Sequence, residues 1–342
     1  MSDTDSEVER TNWLDEYMYL LREAETPKRF IYWSGLATIS AVIKDQVWLP
    51  KRLYQLYPNI FVMMIGKSGL KKSFAVSKAK ELVTAVNGTR VISGQNSIQG
   101  IITELGTHKT DEKTGAIQKD SHCFIAAEEF GDLIIEDPTA FLTLTNLYDR
   151  HYHQEWTRTL KNSPKQKLTN VNITLLGASS PSYFKRAVPD IHITGGFLAR
   201  FLVLYEDKKS RLNPLVRPLT DEEKETIYSP EKLIPHLKTI QKLKGPFTWE
   251  DNESLTFFEN WYYNFYDLER SDDTGYEDRI NDHILKVAML LALSEPEPEL
   301  VLKERHIEKA IEHTIALIPN IHRATMGIGK SQLAQAMQLV LK

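Results

Sequence analysis

Ile60-Phe61-Val62-Met63-Met64-Ile65-Gly66-Lys67-Ser68-Gly69-Leu70-Lys71-Lys72-Ser73 is the stretch that decides the fold. Ile60 to Ile65 form an unbroken apolar run, the pattern of a strand buried on both faces of a parallel sheet. Gly66 ends the run, and a polar turn carrying a second glycine, Gly69, comes next. The pattern from Lys72 to about Val86 predicts a helix, and Asn87-Gly88 closes it. The unit is a buried strand, a glycine-containing turn and a helix.

Such a turn aims backbone N–H groups at an anion, and the helix N-terminus adds its dipole. The phosphate-loop pattern requires glycine, four residues, then Gly-Lys-Ser/Thr. Gly66, Lys72 and Ser73 stand in their places, and Lys71 stands where the second glycine belongs. Gly66, Lys67, Ser68, Gly69, Leu70, Lys71, Lys72 and Ser73 are therefore the candidate cradle for the phosphates of ATP. Lys72 is expected to reach the β- and γ-phosphates, and Ser73 to ligand Mg2+. A side chain disfavours positive φ, so the loop is expected to use a residue other than Lys71 for its left-handed position. The competing reading is a basic turn opening an amphipathic helix.

Outward from this unit, Thr89–Ile92, Cys123–Ala127, Val171–Leu176 and Phe201–Tyr205 read as further short apolar strands with helices between them. Five such strands predict a mainly parallel five-stranded α/β sheet. Residues 11–48 read as helical, with an extended piece at Val47–Pro50. Ser97 is expected to cap a helix over Ile98–Leu105. Residues 107–120 read as a loop or hairpin excursion, and residues 157–169 as a basic connection. Beyond Asp207 the strand signal fades, and 219–245, 250–270, 277–295 and 303–322 read as helices. The division expected is an N-terminal helical segment 1–50, a core 51–207, a helical lid-type domain 208–326 and the start of a terminal helix 327–342. One reading of that last helix is the opening of a winged-helix module.

The third strand, Ile125-Ala126-Ala127, ends in Glu128-Glu129. A nucleotide hydrolase with this loop needs acid at such a strand end. Glu128 is expected to hold the metal, and Glu129 to orient or deprotonate the attacking water. The usual first acid is aspartate, so Glu128 is one methylene longer. Taken alone, two carboxylates at a strand end are as readily solvated surface groups. Ser179 and Ser180, after the fourth strand, are candidates to sense the γ-phosphate. Their alternative is a helix cap before Pro181.

Gly195-Gly196-Phe197-Leu198-Ala199-Arg200-Phe201-Leu202 makes the pattern more specific. With Tyr57-Pro58-Asn59-Ile60, the Gly-x-Ser-Gly-x-x-Lys-Ser loop, the double acid, Leu147-Tyr148-Asp149 and the apolar run Ile284–Leu293, the chain resembles a family of phage, plasmid and bacterial P-loop ATPases. These are often fused to primase–polymerase modules and regarded as replicative helicases. The resemblance spans roughly residues 30–320. It implies a P-loop NTPase fold of the RecA-like or AAA+-like kind, flanked by N-terminal helices and a C-terminal helical domain. Ala199-Arg200-Phe201 also resembles the Ser-Arg-Phe element of minichromosome-maintenance helicases, which implies that Arg200 is an arginine finger reaching a neighbouring subunit's nucleotide. The same resemblance implies a homo-oligomeric ring or filament with active sites between subunits, the expected ring being a hexamer, with ATP and Mg2+ as cofactors. The function implied is an ATP-hydrolysing DNA helicase moving on single-stranded DNA. A non-translocating nucleotide switch, such as a helicase loader or a regulatory ATPase scaffold, is the alternative that Lys71 and Glu128 favour. Primase and other replisome proteins are candidate partners.

A net charge of −4 excludes a global basic field, so nucleic-acid contact must come from local patches. Lys109, Lys113 and Lys119 in one excursion, and Arg158, Lys161, Lys165 and Lys167 before the fourth strand, are the candidates for single-stranded DNA. Solvated charged loops are the competing reading. Trp156 is a candidate for base stacking. The single cysteine, Cys123, excludes a disulfide framework and a cysteine zinc site. His151-Tyr152-His153 lacks further ligands for a metal. Gly327–Ser331 imitates a phosphate loop but has Ala324 at the first glycine and comes after a helix. The start Met1-Ser2-Asp3-Thr4-Asp5 does not read as a signal peptide, and no apolar run suits a membrane span. The cytoplasm of a bacterial or phage-infected cell is the expected location.

Overall fold

The structure, a computed structural model, describes residues 12–94, 96–106, 109–110, 117–118, 120–133, 139–149, 155–160, 163–188, 196–214, 221, 230–268 and 274–325. Five parallel strands form its centre: β1 Phe61–Gly66, β2 Val91–Ser93, β3 Asp120–Ala127, β4 Ser163–Ser179 and β5 Phe201–Glu206. Their order across the sheet is β5-β1-β4-β3-β2. The chain is thus an α/β protein with a mainly parallel sheet, as the apolar runs predict. All six residues of β1 are buried, because both faces are covered by helices.

The helices are α1 Trp13–Leu20, α2 Lys28–Ile43, α3 Lys72–Val86, α4 Ile98–Gly106, α5 Ala140–Tyr148 and α6 Pro181–Ala187. They continue as α7 Pro230–Ile240, α8 Asn252–Tyr266, α9 Ile280–Ser294, α10 Glu304–Ile315 and α11 Ile318–Thr325. Helix α3 runs from Lys72 to Val86 as its pattern predicts, and Asn87 (φ 67°) and Gly88 (φ 82°) end it in positive-φ conformations. Ser97 Oγ accepts from Gly100 N at 3.1 Å, the cap expected for α4. Helix α2 is apolar nearly all round and correspondingly buried. It is fastened to the sheet by Ser40, whose hydroxyl meets that of Thr174 at 2.7 Å.

Two expectations about the elements are corrected. Residues 157–169 are not an irregular connection. Glu155–Leu160 pairs antiparallel with the first part of β4, so this basic stretch is a β-hairpin. Its polar residues lack the apolar alternation that marks a half-buried strand, which hid it. The excursion at 107–120 does contain a hairpin, with Lys109–Thr110 paired to Ile117–Gln118. Secondly, the region beyond Asp207 is not purely helical. Gly245–Pro246 pairs with Val47–Trp48, and Thr248–Trp249 with Val301–Leu302. Two-residue pairings between distant segments leave no local pattern.

The C-terminal helices share one continuous apolar core with the sheet. Asn320 of α11 donates to Val203 O at 3.2 Å, covering the β5 edge. Lys286 of α9, buried, donates to Asn59 O at 3.0 Å and Asn59 Oδ1 at 2.9 Å and lies 4.1 Å from the Tyr148 ring centre. Burial pushes its pKa down to about 7, against the attraction of Asp282 and Asp149. His283 binds Ala199 O at 2.8 Å, and burial pushes its pKa down to about 3. Both residues tie α9 to the N-terminal end of the sheet. Among the described residues no helix is long and apolar enough to cross a membrane.

Candidate functional site at the C-terminal edge of the sheet

Ligands of open parallel sheets bind where the strands end, at the point where the strand order reverses. Here that point is the end of β1, flanked by β5 and β4. A Cβ at Gly66 would lie 2.9 Å from Glu206 O and 2.7 Å from Leu70 Cδ1, so a side chain there would collide with the neighbouring strand. Gly69 has φ 89° and open space around it. Lys71 corrects an expectation: it does adopt the left-handed conformation, φ 55°, ψ 35°. The buried Thr26 hydroxyl donates to Lys71 O at 3.1 Å, holding the residue in a conformation that glycine would enter at lower cost.

The loop closes on Lys72. Its ammonium donates to Gly66 O at 2.7 Å and Lys67 O at 3.1 Å. Lys67, Ser68, Gly69 and Lys71 are exposed, Leu70 is buried beneath them, and Ser73 is exposed in the first turn of α3. The backbone of the turn and the start of α3 are therefore open to an anion.

Strand register places the acids. Ile65 is level with Ser179, and Ala127 with Gly177. Glu128 and Glu129 thus leave β3 at the height of the loop. With β4 between β1 and β3, the two groups are separated by two strand spacings, about 10 Å. Both carboxylates are exposed. Glu129 and Lys72 feel each other electrostatically. Burial lowers the Lys72 pKa and the Glu129 charge opposes this. Partial burial raises the Glu129 pKa, with Lys72 opposing and Asp132 and Glu128 adding to the rise. Ser73 and Glu128 offer oxygen donors of the kind a magnesium ion takes.

Ser180 caps α6: its hydroxyl accepts from Tyr183 N at 3.3 Å, the alternative that the sequence left open. Ser179 is fully buried, and its hydroxyl donates to Ser180 O at 3.2 Å. Next to them lies a groove lined by Glu129, Asp132, Ser180, Ser182, Tyr183 and Arg186. Asp132, Tyr183 and Arg186 carry no signal in the sequence, because only the β4–β3 adjacency brings α6 against the acidic turn.

Arg200 is elsewhere. Phe201 is level with Phe61, at the N-terminal end of β1. The loop of the same chain begins at the other end of that strand, roughly 20 Å away. Arg200 is 11% exposed and bound to Asp149 by Nε at 3.1 Å and by Nη2, while Nη1 donates to Gly196 O at 2.7 Å. Arg279 adds a contact to Asp149 at 3.3 Å. Burial pushes the Asp149 carboxyl up, but Arg200 and Arg279 outweigh it and hold the pKa below its ordinary value. The one sign of this cluster along the chain is Lys286, a cation inside the apolar run Ile284–Leu293.

Arg200→Ala leaves a partly buried carboxylate with Arg279 as its remaining ion pair and the Lys286 charge nearby. It is expected to lower the unfolding free energy by roughly 2 kcal/mol, less than for a fully buried pair because Asp149 is part-exposed. Urea unfolding measures it. Unchanged stability with lost hydrolysis would instead fit a finger in trans.

Of the basic candidates, Lys167 is exposed and paired with Glu155 across the hairpin. Lys109, Arg158 and Lys165 lie on described strands. Lys113, Lys119, Lys161, His151-Tyr152-His153, Gly195 and Gly327–Ser331 lie outside the described residues. Trp156 packs against the core. No protein-family model matches the chain, and no curated protein matches its sequence.

Proposed function

We propose that the protein is a P-loop ATPase, and that it works as an oligomeric replicative helicase on single-stranded DNA. The observation that carries the ATPase reading is the meeting of three parts at one sheet edge. These are a glycine-shaped loop with Lys72 behind it, Ser73 at the helix start, and Glu129 two strands away. The 66–73 loop would cradle the phosphates through its N–H groups, with Lys72 moving from the loop carbonyls to the β- and γ-phosphates. Ser73 and Glu128 would hold Mg2+, which supplies charge neutralisation on the phosphates when bound. Glu129 would take the proton of the attacking water. Its pKa, raised by partial burial, makes it a better base than a free carboxylate.

The helicase reading rests on the resemblance and on the two hairpins. Both emerge near the N-terminal ends of β3 and β4, and Lys109, Arg158, Lys165 and Lys167 lie on their described strands. A ring of such hairpins repeated by symmetry needs only local charge to hold a strand. A second reading, a non-translocating nucleotide switch, is favoured by Arg200, which is engaged within its own chain.

The test is ATP hydrolysis with and without single-stranded DNA, together with mass measurement of the same sample. The expected result is stimulation by DNA and a ring that assembles with nucleotide. Hydrolysis by a monomer, indifferent to DNA, would sink the helicase reading and leave the ATPase.

A further inference from the structure

We propose that Arg186 is the cation that faces the γ-phosphate during hydrolysis, and that it serves the site of its own chain. The proposal rests on the ATPase reading. Hydrolysis forms a bond from the water oxygen to Pγ and breaks the bond from Pγ to the β,γ-bridging oxygen. The water proton goes to the Glu129 carboxylate, and ADP and inorganic phosphate are released. Negative charge is spread over the three γ-phosphoryl oxygens in the transition state, and a guanidinium facing them from the side of the base lowers the barrier.

Several observations set Arg186 on the side of the site that carries the proposed base. It lines the same groove as Glu129, the proposed base, and Ser180, which comes directly after the strand between loop and acids. It stands in the last turn of α6, exposed to that groove. Its guanidinium lies 4.8 Å from the centre of the Tyr183 ring.

The Tyr183 ring is itself held. Its hydroxyl donates at 2.6 Å to Oδ1 of Asp132, a near neighbour of Glu129 in the chain. The ring also lies against Gly131, where an added Cβ would be 2.1 Å from Tyr183 Cε1. Any side chain at 131 would push the ring away. Glycine, aspartate and tyrosine together tie the platform under Arg186 to the turn that carries the base. Tyr183 is on this reading a positioning residue, and Arg186 the group that touches substrate. Arg200 cannot take the role within one chain, because it sits at the opposite end of β1.

The test uses the full chain with magnesium and ATP. Wild type and Lys72→Ala are measured first. If wild type does not hydrolyse ATP, or Lys72→Ala still does, the ATPase reading itself has failed, and that is seen before Arg186 is touched. With those controls in place, Arg186→Ala is expected to lower kcat about 100-fold or more. ATP affinity by calorimetry should stay within about threefold and the melting temperature should not move, because the side chain is exposed. Tyr183→Phe, which keeps the ring but loses the bond to Asp132, is expected to lower kcat by about tenfold at unchanged affinity, as a lost positioning contact does. Mixing Arg186→Ala chains with Lys72→Ala chains should restore nothing, since each site lacks one of its own groups. Recovery of hydrolysis in the mixture would overturn the proposal by showing that Arg186 acts on a neighbour's site. Unchanged kcat in Arg186→Ala would overturn it outright.

Discussion

Lys72→Ala is expected to reduce magnesium-dependent ATP hydrolysis by at least about 100-fold. The lysine has a structural duty as well. Its ammonium donates to Gly66 O at 2.7 Å and Lys67 O at 3.1 Å, and these carbonyls lie in a loop whose other residues are largely open to water. Lys72 and Gly66 O are buried, so truncation should also cost roughly 1–3 kcal/mol of stability. Hydrolysis is therefore compared under conditions where both proteins are folded. Nucleotide affinity should weaken as well, because a charge aimed at the phosphates is gone before the chemistry starts. Steady-state hydrolysis and calorimetric ATP binding, run beside urea unfolding, check all three. A variant that hydrolyses ATP at the wild-type rate would remove the phosphate-loop reading altogether.

Glu129→Gln should separate chemistry from binding. General-base catalysis contributes about 100- to 10,000-fold, so kcat is expected to fall by roughly 1,000-fold. ATP binding should persist, because Glu129 leaves a strand two places across the sheet from the one that carries the phosphate cradle. Affinity should even rise somewhat, with one negative charge removed opposite the γ-phosphate. The pH dependence comes from the raised pKa of Glu129, caused first by partial burial and then opposed by Lys72. The base must be ionised to accept a proton. Hydrolysis should therefore decline as pH falls through that raised value, earlier than for an ordinary glutamate. The linkage sign for stability is the reverse: a raised carboxyl pKa means that ionisation disfavours the folded state, so glutamine at 129 should not destabilise it at neutral pH. Single-turnover kinetics with pre-bound ATP isolate the step. Wild-type turnover in this variant would transfer the role to another group.

The two variants together also separate the rival readings. A motor loses function with either change. A switch needs Lys72 to bind nucleotide but tolerates the loss of Glu129, since binding alone drives its assembly. Nucleotide-dependent mass change in Glu129→Gln, set against its absence in Lys72→Ala, shows that binding suffices for assembly.

Much of the candidate site is written locally. The apolar run Ile60–Ile65 and the glycine after it determine a strand and a turn, and the helical pattern from Lys72 determines the helix behind the loop. Each depends on neighbours within a few residues, so the chain's own order displays it. The same holds for Glu128-Glu129 at the end of an apolar strand. Lys71 escaped because its left-handed conformation is held by Thr26, a residue far off in the chain. The basic hairpin at 155–169 escaped because its strands are polar, and backbone pairing needs no apolar signal.

By itself, then, the sequence determined the parts: a phosphate-loop pattern with a variant lysine, a double acid, five strands and two basic excursions. Tertiary structure alone decided which parts meet. Arg200 directly precedes a core strand, and the register of β5 on β1 sets it at the end of the sheet away from the loop of its own chain, in a pair with Asp149. Arg186 sits in no motif, yet the order β1-β4-β3 brings it to the groove that Glu129 also lines. The physical reason is that propensity and periodicity act along the chain, whereas strand order and register are settled by packing across it.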